Sequence, residues 1–439
     1  MAPGKPNAAT DISTRTIRKT QARLIPLLFL LYIVAFLDRI NIGFAALTMN
    51  ADLAITSAQY GLLAGIFFLG YFLFEIPSNL ILHKVGARTW IARILVSWGI
   101  VAVLTGFVRN APQLYAARFL LGIAEAGFFP GILLYLTYWF PQRELARVIA
   151  LFMSAIPVSS VIGAPVSGFI LDHVHWAGVA NWRWLLILEG LPAIVSGIVT
   201  YFALPNRPEK ATFLTPQQRD WIVSELAEEK LGKFGERDLS AWRTLAHQRV
   251  WRLACIAFAY QVGAYAIYFW MPQAVGSLSN VFSNSLIGIL VMIPHLAGLV
   301  AMVLVSRSSD RSMERRYHAS VSLLVGGIAL ISLGASRSAW LSIAIWAFAA
   351  MGNYAFNGPF WSLPSDFLAG ISAASGLALV NSIGSLGAFL GPFLVGAAAN
   401  GPAGIYRGLA VAGVSFLFSA ALVLFLPRKQ IAGSRVDVG

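Results

Sequence analysis

Twelve runs of apolar residues, each about twenty residues long, constrain this chain more than any other feature of its sequence. An α-helix of that length is about 30 Å long, which matches the hydrocarbon core of a bilayer. Inside that core every backbone polar group needs an internal partner, so a long apolar run spans it as a helix. A transmembrane β-barrel would show short segments of alternating hydrophobicity, and the sequence has none. The sequence therefore predicts an all-α polytopic membrane protein.

The composition agrees with this prediction. Hydrophobic residues make up 58% of the chain and charged residues only 12%, whereas soluble domains contain about 25% charged residues. The net charge of +13 could indicate nucleic-acid binding, but the basic residues lie mostly in alternate loops, so we expect no nucleic-acid partner. The single cysteine, Cys255, excludes an internal disulfide and indicates no metal cluster. The polar, basic N-terminus lacks the pattern of a cleavable signal.

The predicted spans form two groups of six, numbered 1 to 12 below. Their expected bounds are 24–48, 58–82, 87–107, 112–139, 145–171, 183–204, 249–275, 284–306, 317–335, 339–362, 371–397 and 404–427. The predicted organisation is an N-terminal tail (1–23), a six-helix bundle (24–204), a central loop (205–248), a second six-helix bundle (249–427) and a C-terminal tail (428–439). The central loop contains an amphipathic stretch that indicates a surface helix or linker.

The distribution of Lys and Arg predicts the orientation. Few of the 32 basic residues lie in the odd-numbered connections, namely Arg109, Arg183, Arg337 and Arg407. The tails, the central loop and the even-numbered connections hold most of the others. Because cytoplasmic loops are enriched in Lys and Arg, we expect both termini and the central loop to be cytoplasmic, in a multi-pass protein of the bacterial inner membrane.

Short basic loops follow the second span of each half. The first reads His83-Lys84-Val85-Gly86-Ala87-Arg88, and the second reads Ser309-Asp310-Arg311-Ser312-Met313-Glu314-Arg315-Arg316. This repeat predicts two halves related in parallel, the arrangement of major facilitators. The second loop resembles the D-R-x-x-x-R-R motif of those proteins, and the first resembles a degraded copy. We therefore expect Asp310 and Arg311 to have gating or structural roles.

The adjacent charges Asp38 and Arg39 lie inside span 1. Each costs about 3 kcal/mol at the bilayer centre on insertion scales, so such residues usually mark functional sites. Neighbours on a helix point about 100° apart, so we expect one side chain to face a central cavity and the other to point elsewhere. The sequence leaves open which of the two touches a substrate, and an ion pair that fixes helix packing is the alternative.

Span 4 carries a second acid and base, Arg118 and Glu125. Seven residues are almost two turns, so both lie on one face, about 10 Å apart along the axis. Arg118 can hold a carboxylate with two hydrogen bonds. An apolar setting favours the neutral form of Glu125, which can then carry a proton at physiological pH. This face suits an anionic, proton-coupled substrate, and a static structural ion pair is the alternative.

Other polar residues in the spans are weaker candidates. Tyr71 and Glu75 share a face of span 2 because they are four residues apart. Tyr71 could donate to a substrate oxygen, and Glu75 could be a gating or structural residue. The second half has few charges, so its neutral polar side chains must provide selectivity. The candidates there for substrate binding are Gln261, Tyr265, Asn357 and Asn381.

The sequence resembles the anion:cation symporter family of major facilitators. The resemblance is carried by Leu37-Asp38-Arg39-Ile40-Asn41-Ile42-Gly43-Phe44-Ala45, Tyr71, the stretch from Arg118 to Glu125, and Phe140-Pro141. The resemblance covers essentially the whole chain. It implies proton coupling through Asp38 and Glu125, and a substrate carboxylate facing Arg39, Tyr71 and Arg118. Bacterial members of this family carry tartrate, sugar acids, phthalate or hydroxyphenylacetate with protons.

We therefore predict a non-enzymatic, proton-coupled importer of a small organic carboxylate that works by alternating access. It should need no cofactor besides the proton gradient, and the family implies a monomer. An organic-anion or organophosphate exchanger of the same fold is the first alternative, although the second half offers only Arg252, at a span edge, as a cationic partner. A membrane sensor that does not transport is the second alternative.

Overall fold

The computed structural model describes residues 8–233, 248–336, 338–363, 370–399 and 404–426. Within them, twelve helical segments are long and apolar enough to cross a membrane, which confirms the predicted number. The spans of the first half are Ala8–Asp52, Ser57–Val85, Ala87–Thr105, the pair Ala111–Glu125 and Phe128–Thr137, the pair Gln142–Met153 and Ala155–His173, and Asn181–Ala203. Those of the second half are Gln248–Gly276, Asn284–Ser312, Arg316–Ser332, Ala339–Ser362, Gly370–Ala398 and Gly404–Leu424.

Three predicted spans differ from the structure in their bounds or continuity. The helix of span 1 begins at Ala8 instead of near residue 24, because the polar residues before the apolar run continue the same helix. Span 4 is broken after Glu125 and resumes at Phe128. Span 5 is interrupted at Ser154, between the helices Gln142–Met153 and Ala155–His173. Hydropathy reports the apolar length of a segment and carries no information on breaks inside it.

The described part of the central connection contains a short 3-10 helix, Pro208–Lys210, and an α-helix, Pro216–Lys233, that lies against the first half. The carboxylate of Glu229 accepts a hydrogen bond from the backbone N–H of Gln142 at 3.1 Å. Arg143 donates to Glu225 at 2.8 Å. The stretch is therefore a surface helix, one of the two structures predicted for it. The predictions for residues 1–7, 234–247 and 427–439 lie outside the described residues.

The two halves meet along spans 2 and 11 and along spans 5 and 8. Glycines allow both contacts: a Cβ added at Gly61 would lie 2.6 Å from the carbonyl oxygen of Pro392, and one at Gly288 would lie 2.4 Å from that of Ala164. Such close approach of helix backbones is typical of small residues at membrane helix interfaces. The two ends of the helix bundle differ in charge. We call one end the basic face, defined by Arg88, Arg143, Arg147, Arg311 and Arg315. We call the other end the opposite face.

The halves are closed together at the opposite face. Tyr60 donates a hydrogen bond to the carbonyl oxygen of Phe269 at 2.9 Å, and Asn50 donates to Gln273 at 3.2 Å. Both bonds join a residue of the first half to a residue of span 7. The space between the halves is therefore sealed from this face.

Candidate functional site

A cavity of about 630 Å³ lies between the two halves. Polar residues from both halves line its mouth at the basic face, among them Arg143, Arg147, Asp310 and Arg315. Since the opposite face is sealed, the structure is open toward the basic face only. Six candidate substrate residues line this cavity: Arg39, Tyr71, Gln261, Tyr265, Asn357 and Asn381.

Arg39 is the basic group that the cavity exposes near its inner end. Its Nη2 forms a hydrogen-bonded ion pair with Glu125. Its Nη1 donates to the hydroxyl of Tyr265, in the other half, at 3.3 Å. The guanidinium also lies 5.6 Å from the ring centre of Tyr71, a distance at which a cation is attracted to an aromatic face. Arg39 thus connects an acid of span 4, an aromatic of span 2 and a hydroxyl of span 7.

Glu125 is completely buried at the point where span 4 is broken. Ala126 has an extended ψ of 131° and Gly127 a positive φ of 86°, which end one helix and start the next. Besides the oxygen that binds Arg39, Glu125 has a buried Oε2 with no hydrogen-bond partner among the described residues. A buried carboxyl group with one unpaired oxygen favours its neutral, protonated form once its cationic partner leaves.

Arg118 does not line the cavity, in contrast to the expectation from the sequence. It is 1% exposed and lies 5.2 Å from the ring centre of Phe67. Its Nε and Nη2 have no hydrogen-bond partner among the described residues. The reason is its position: two turns before Glu125, it lies nearer to the sealed opposite face. Glu125 consequently pairs with Arg39 of span 1 and not with Arg118 of its own span.

Asp38 points away from the cavity, into the first half. Its Oδ2 accepts a hydrogen bond from Nε1 of Trp98, in span 3, at 2.6 Å. Its Oδ1 accepts one from Asn41 at 3.2 Å. The structure thus places the neighbours Asp38 and Arg39 in different surroundings, with the acid buried among spans 1 and 3 and the base at the cavity.

In the second half, two asparagine side chains line the cavity, and the amide nitrogen of each donates a hydrogen bond to another residue of the protein. Nδ2 of Asn357 donates to the hydroxyl of Tyr260 at 2.8 Å. Nδ2 of Asn381 donates to Glu75, in span 2, at 2.6 Å. Gln261 lies against Gly384, one turn beyond Asn381 along span 11. These contacts join residues that the sequence could only nominate separately.

The three gating or structural candidates lie in separate places. Glu75 is buried between spans 2 and 11. Asp310 lines the mouth of the cavity and lies 3.5 Å from Arg315. Arg311 faces a shallow pocket on the outside of span 8, with Leu304 and Arg307. The adjacent motif residues Asp310 and Arg311 therefore face different surfaces, the cavity mouth and the outside of span 8.

Sequence reasoning missed two buried polar contacts. Glu189, in span 6, accepts a hydrogen bond from Ser167 at 2.7 Å, and an acid within an apolar run was a signal that could have identified it. Tyr354 donates to Ser160 across the halves at 3.1 Å and lies 3.0 Å from Nδ1 of His295. No feature of the sequence indicates this second contact, because serine and tyrosine are common in spans. Among the described residues, no group of His, Cys, Asp and Glu could hold a metal ion.

Comparisons with known proteins agree with this architecture. The sequence profile described as "Major Facilitator Superfamily" matches residues 28–392. A protein of Agrobacterium vitis whose name proposes tartrate transport is 44% identical over 420 residues, covering 96% of this chain and 93% of that protein. NicT of Pseudomonas putida, whose name proposes metabolite transport, is 41% identical over 417 residues, covering 93% of this chain and 94% of that protein.

A solved structure shows the same fold. The crystal structure of a bacterial homologue of the human lysosomal transporter Spinster superposes with a TM-score of 0.74, covering 92% of this chain and 96% of that chain at 18% identity. The predicted fold of two six-helix halves is thereby confirmed, and the relatives agree with a permease of the anion:cation symporter type.

Proposed function

The chain belongs to the Major Facilitator Superfamily, and from that premise we propose that it imports a small organic carboxylate together with protons across the bacterial inner membrane. The superfamily and the transporter relatives identify a transporter and not an enzyme. The names of the relatives, tartrate among them, support an organic anion as the cargo. Beyond the transport of an organic anion, we propose that transport is coupled to protons, and we propose which residues carry the protons and how the protein is oriented in the membrane.

The Arg39–Glu125 ion pair is the observation that carries the proposal. Arg39 is the buried cation that faces the cavity, and a carboxylate is the anion that a guanidinium binds with two parallel hydrogen bonds. In the structure, Glu125 already occupies one end of this guanidinium. A substrate carboxylate and an ionised Glu125 therefore compete for Arg39.

Protonation of Glu125 resolves this competition. A neutral Glu125 no longer attracts Arg39, which then binds the substrate carboxylate. Release of the proton restores the internal ion pair and expels the substrate. In this proposal the base that Glu125 frees for the substrate is Arg39 and not Arg118, which was also expected to hold the carboxylate. Asp38, held by Trp98 and Asn41, is the second acid proposed for the proton exchange.

Alternating access supplies the direction of transport. We propose that the basic face is cytoplasmic, because Lys and Arg are concentrated in the connections of that face. The structure is then the inward-open state. Rocking of the two halves would close the basic face and open the contacts of Tyr60 and Asn50 with span 7 at the opposite face.

Transport by purified protein in liposomes tests this proposal. With a pH gradient imposed, the wild type is expected to accumulate tartrate, and Glu125→Gln is expected to lose accumulation while retaining exchange of internal for external tartrate. The exposed acid Glu228, changed to Gln, is the matched control and should accumulate tartrate normally. If Glu125→Gln accumulates substrate as well as the wild type does, the coupling role is wrong.

The same liposomes separate the alternatives. Tartrate uptake that requires an internal anion and ignores the pH gradient would identify an exchanger, and counterflow with inorganic phosphate would identify an organophosphate type. Binding of tartrate without any movement across the membrane would identify a sensor.

A further inference from the structure

Glu75 is a buried acid that the proposed transport cycle does not use. Its side chain is 2% exposed, and it extends from span 2 of the first half to span 11 of the second. Its Oε1 accepts a hydrogen bond from Nδ2 of Asn381 at 2.6 Å, and its Oε2 accepts one from the hydroxyl of Ser382 at 3.0 Å. Both carboxylate oxygens of Glu75, in the first half, thus accept hydrogen bonds from donors in the second half.

The bond to Glu75 fixes which end of the Asn381 amide is available to the cavity. An asparagine amide has a donor end, Nδ2, and an acceptor end, Oδ1, whereas a carboxylate can only accept. An ionised Glu75, both of whose oxygens accept hydrogen bonds here, therefore selects the nitrogen of Asn381. The oxygen is left at the cavity wall, where Asn381 is one of the lining residues, and no donor among the described residues binds it.

Asn357 shows the same polarity by a separate set of contacts. Its Nδ2 donates both to the hydroxyl of Tyr260 at 2.8 Å and to the backbone carbonyl of Asn353 at 3.0 Å. Its two N–H groups are therefore used within the second half, and its Oδ1 remains for the cavity. Two amides on the wall of the second half thus present acceptors.

The wall of the first half has the opposite character. Arg39 can only donate hydrogen bonds, and the hydroxyl of Tyr71 can donate one. A carboxylate matches this donor wall, and a hydroxyl group matches the acceptor wall across the cavity. A deoxy acid that displaces water from the cavity would leave the oxygens of Asn357 and Asn381 without donors, and unsatisfied polar groups are what make such sites reject analogues.

We propose that Glu75 is a positioning residue for specificity: by holding Asn381, it makes the cavity select hydroxylated carboxylates over their deoxy counterparts. This inference rests on the proposed function, since it concerns the cargo of the same cavity. It assigns Glu75 a role that a clamp between spans 2 and 11 would not have. A clamp would affect the stability of the protein and the rate for every substrate alike.

A series of four-carbon dicarboxylates measures the difference. Tartrate, malate and succinate have similar charge and length but carry two, one and no hydroxyl groups. Exchange into liposomes gives KM and kcat for each, with the wild type expected to prefer them in that order. Glu75→Gln can donate as well as accept, so it releases the amide of Asn381. The preference for tartrate over succinate should then fall about tenfold, the value of one hydrogen bond, through KM and not through kcat.

Two further variants serve as a matched control and as a rescue test. Glu189→Gln removes another buried acid of the first half, one that binds Ser167 and does not line the cavity, and it should keep the wild-type order. The double variant Glu75→Gln with Asn381→Asp is a rescue test and not a control: it keeps a bond between the spans and an acceptor at the cavity wall. Because the carboxylate now at the wall should weaken the binding of all three acids, only their relative KM values are compared. The double variant should restore the preference, and it provides the test if Glu75→Gln alone fails to fold.

The outcomes separate this inference from the proposed function. If the wild type moves none of the three acids, the proposed function fails. If it moves tartrate and succinate equally well, or if Glu75→Gln lowers kcat for all three and keeps the preference, the positioning role is overturned while carboxylate transport stands. A double variant that folds but does not regain the preference also overturns it.

Discussion

The carboxylate of Asp172, in the first half, caps the helix that begins at Asn284 in the second half. Its Oδ1 accepts hydrogen bonds from the backbone N–H of Asn284 at 3.1 Å and from the side chain of Asn284 at 2.8 Å. Its Oδ2 accepts from the backbone N–H of Ser285 at 2.7 Å. Helix N-termini attract anions because their first N–H groups lack partners within the helix. Because these bonds join the two halves at the opposite face, opening of that face should break them, and we expect the cap to stabilise the closed state.

Asp172→Asn should therefore shift the protein toward opening at the opposite face. The amide retains the size of the side chain but loses its charge and one acceptor, which for a helix cap costs about 1 kcal/mol, or about fivefold in the equilibrium. Nitroxide labels on cysteines placed at the exposed positions Arg109 and Asn280, with Cys255 replaced by Ser, report the distance between the halves at that face.

Asp52→Asn is the matched control for this experiment. Asp52 lies at the same face and accepts a hydrogen bond from Trp182 at 2.9 Å, but both residues belong to the first half. Its loss should leave the distance distribution unchanged. Equal populations of the longer distance in the two variants would show that the cap does not hold the halves together.

Arg39 and Arg118 should respond differently to the same substitution. Arg39 lines the open cavity and Arg118 does not, so Arg39→Lys should weaken tartrate binding at least about tenfold, the value of one charge-assisted hydrogen bond. Arg118→Lys should change binding by less than about threefold. Calorimetric titration of purified protein measures both, and equal losses would mean that the substrate reaches Arg118 as well.

The spans and the candidate charges could be predicted from the sequence because both follow from local rules. Apolar length predicts a membrane helix, and a charge such as Asp38, Arg39 or Glu125 within one is too costly to be incidental. The neutral candidates of the second half also line the cavity, since polar side chains in a span face protein or water and not lipid. These arguments need no knowledge of which helices are neighbours.

The partners of those residues could not be predicted, because pairing depends on how the helices are arranged. Arg118 and Glu125 do lie on one unbroken helix, as expected from their spacing, but the acid binds Arg39 of another span. The contact between Glu75 and Asn381 joins residues 306 positions apart in sequence. Periodicity along one helix contains no information about such a contact.

Glu314 should give the protein a stability that depends on pH. It lies in the loop between spans 8 and 9, where burial alone would raise its pKa. Hydrogen bonds from the backbone N–H groups of Tyr317 and His318, and from the His318 ring, hold the pKa below its ordinary value. An acid with a lowered pKa stabilises the fold above its unfolded pKa of about 4.3, and this contribution disappears as the pH falls through the lower folded value.

Glu314→Gln should accordingly melt about 2 °C below the wild type at pH 7, and at the same temperature as the wild type in acid once the pH is below the lowered pKa of Glu314 in the folded protein. Thermal unfolding in detergent across this pH range measures the difference. Glu228→Gln, at an exposed position of the surface helix, should show no difference at either pH. If the melting temperature of Glu314→Gln stays below that of the wild type in acid, the effect comes from packing and not from the charge of Glu314.

Gly127 should be the residue on which the break in span 4 depends most. Its φ of +86° is one that side chains with a Cβ rarely adopt, and a Cβ there would lie 2.3 Å from Oγ of Ser78. Gly127→Ala therefore meets both backbone strain, of about 1 kcal/mol or more, and a clash. Because the break sets the position of Glu125, this variant should lose proton-driven accumulation of tartrate as well as thermal stability.

Gly178 separates the two causes, since its φ is also positive, at +66°, but a Cβ there would meet nothing within 4 Å. Gly178→Ala should lower stability slightly and transport normally. Adding Ser78→Gly to Gly127→Ala removes the clash and should recover part of the accumulation, with Ser78→Gly alone as the reference because it loses the bond from Trp90. If Gly127→Ala accumulates tartrate as well as Gly178→Ala does, the position of Glu125 does not depend on a glycine at this break.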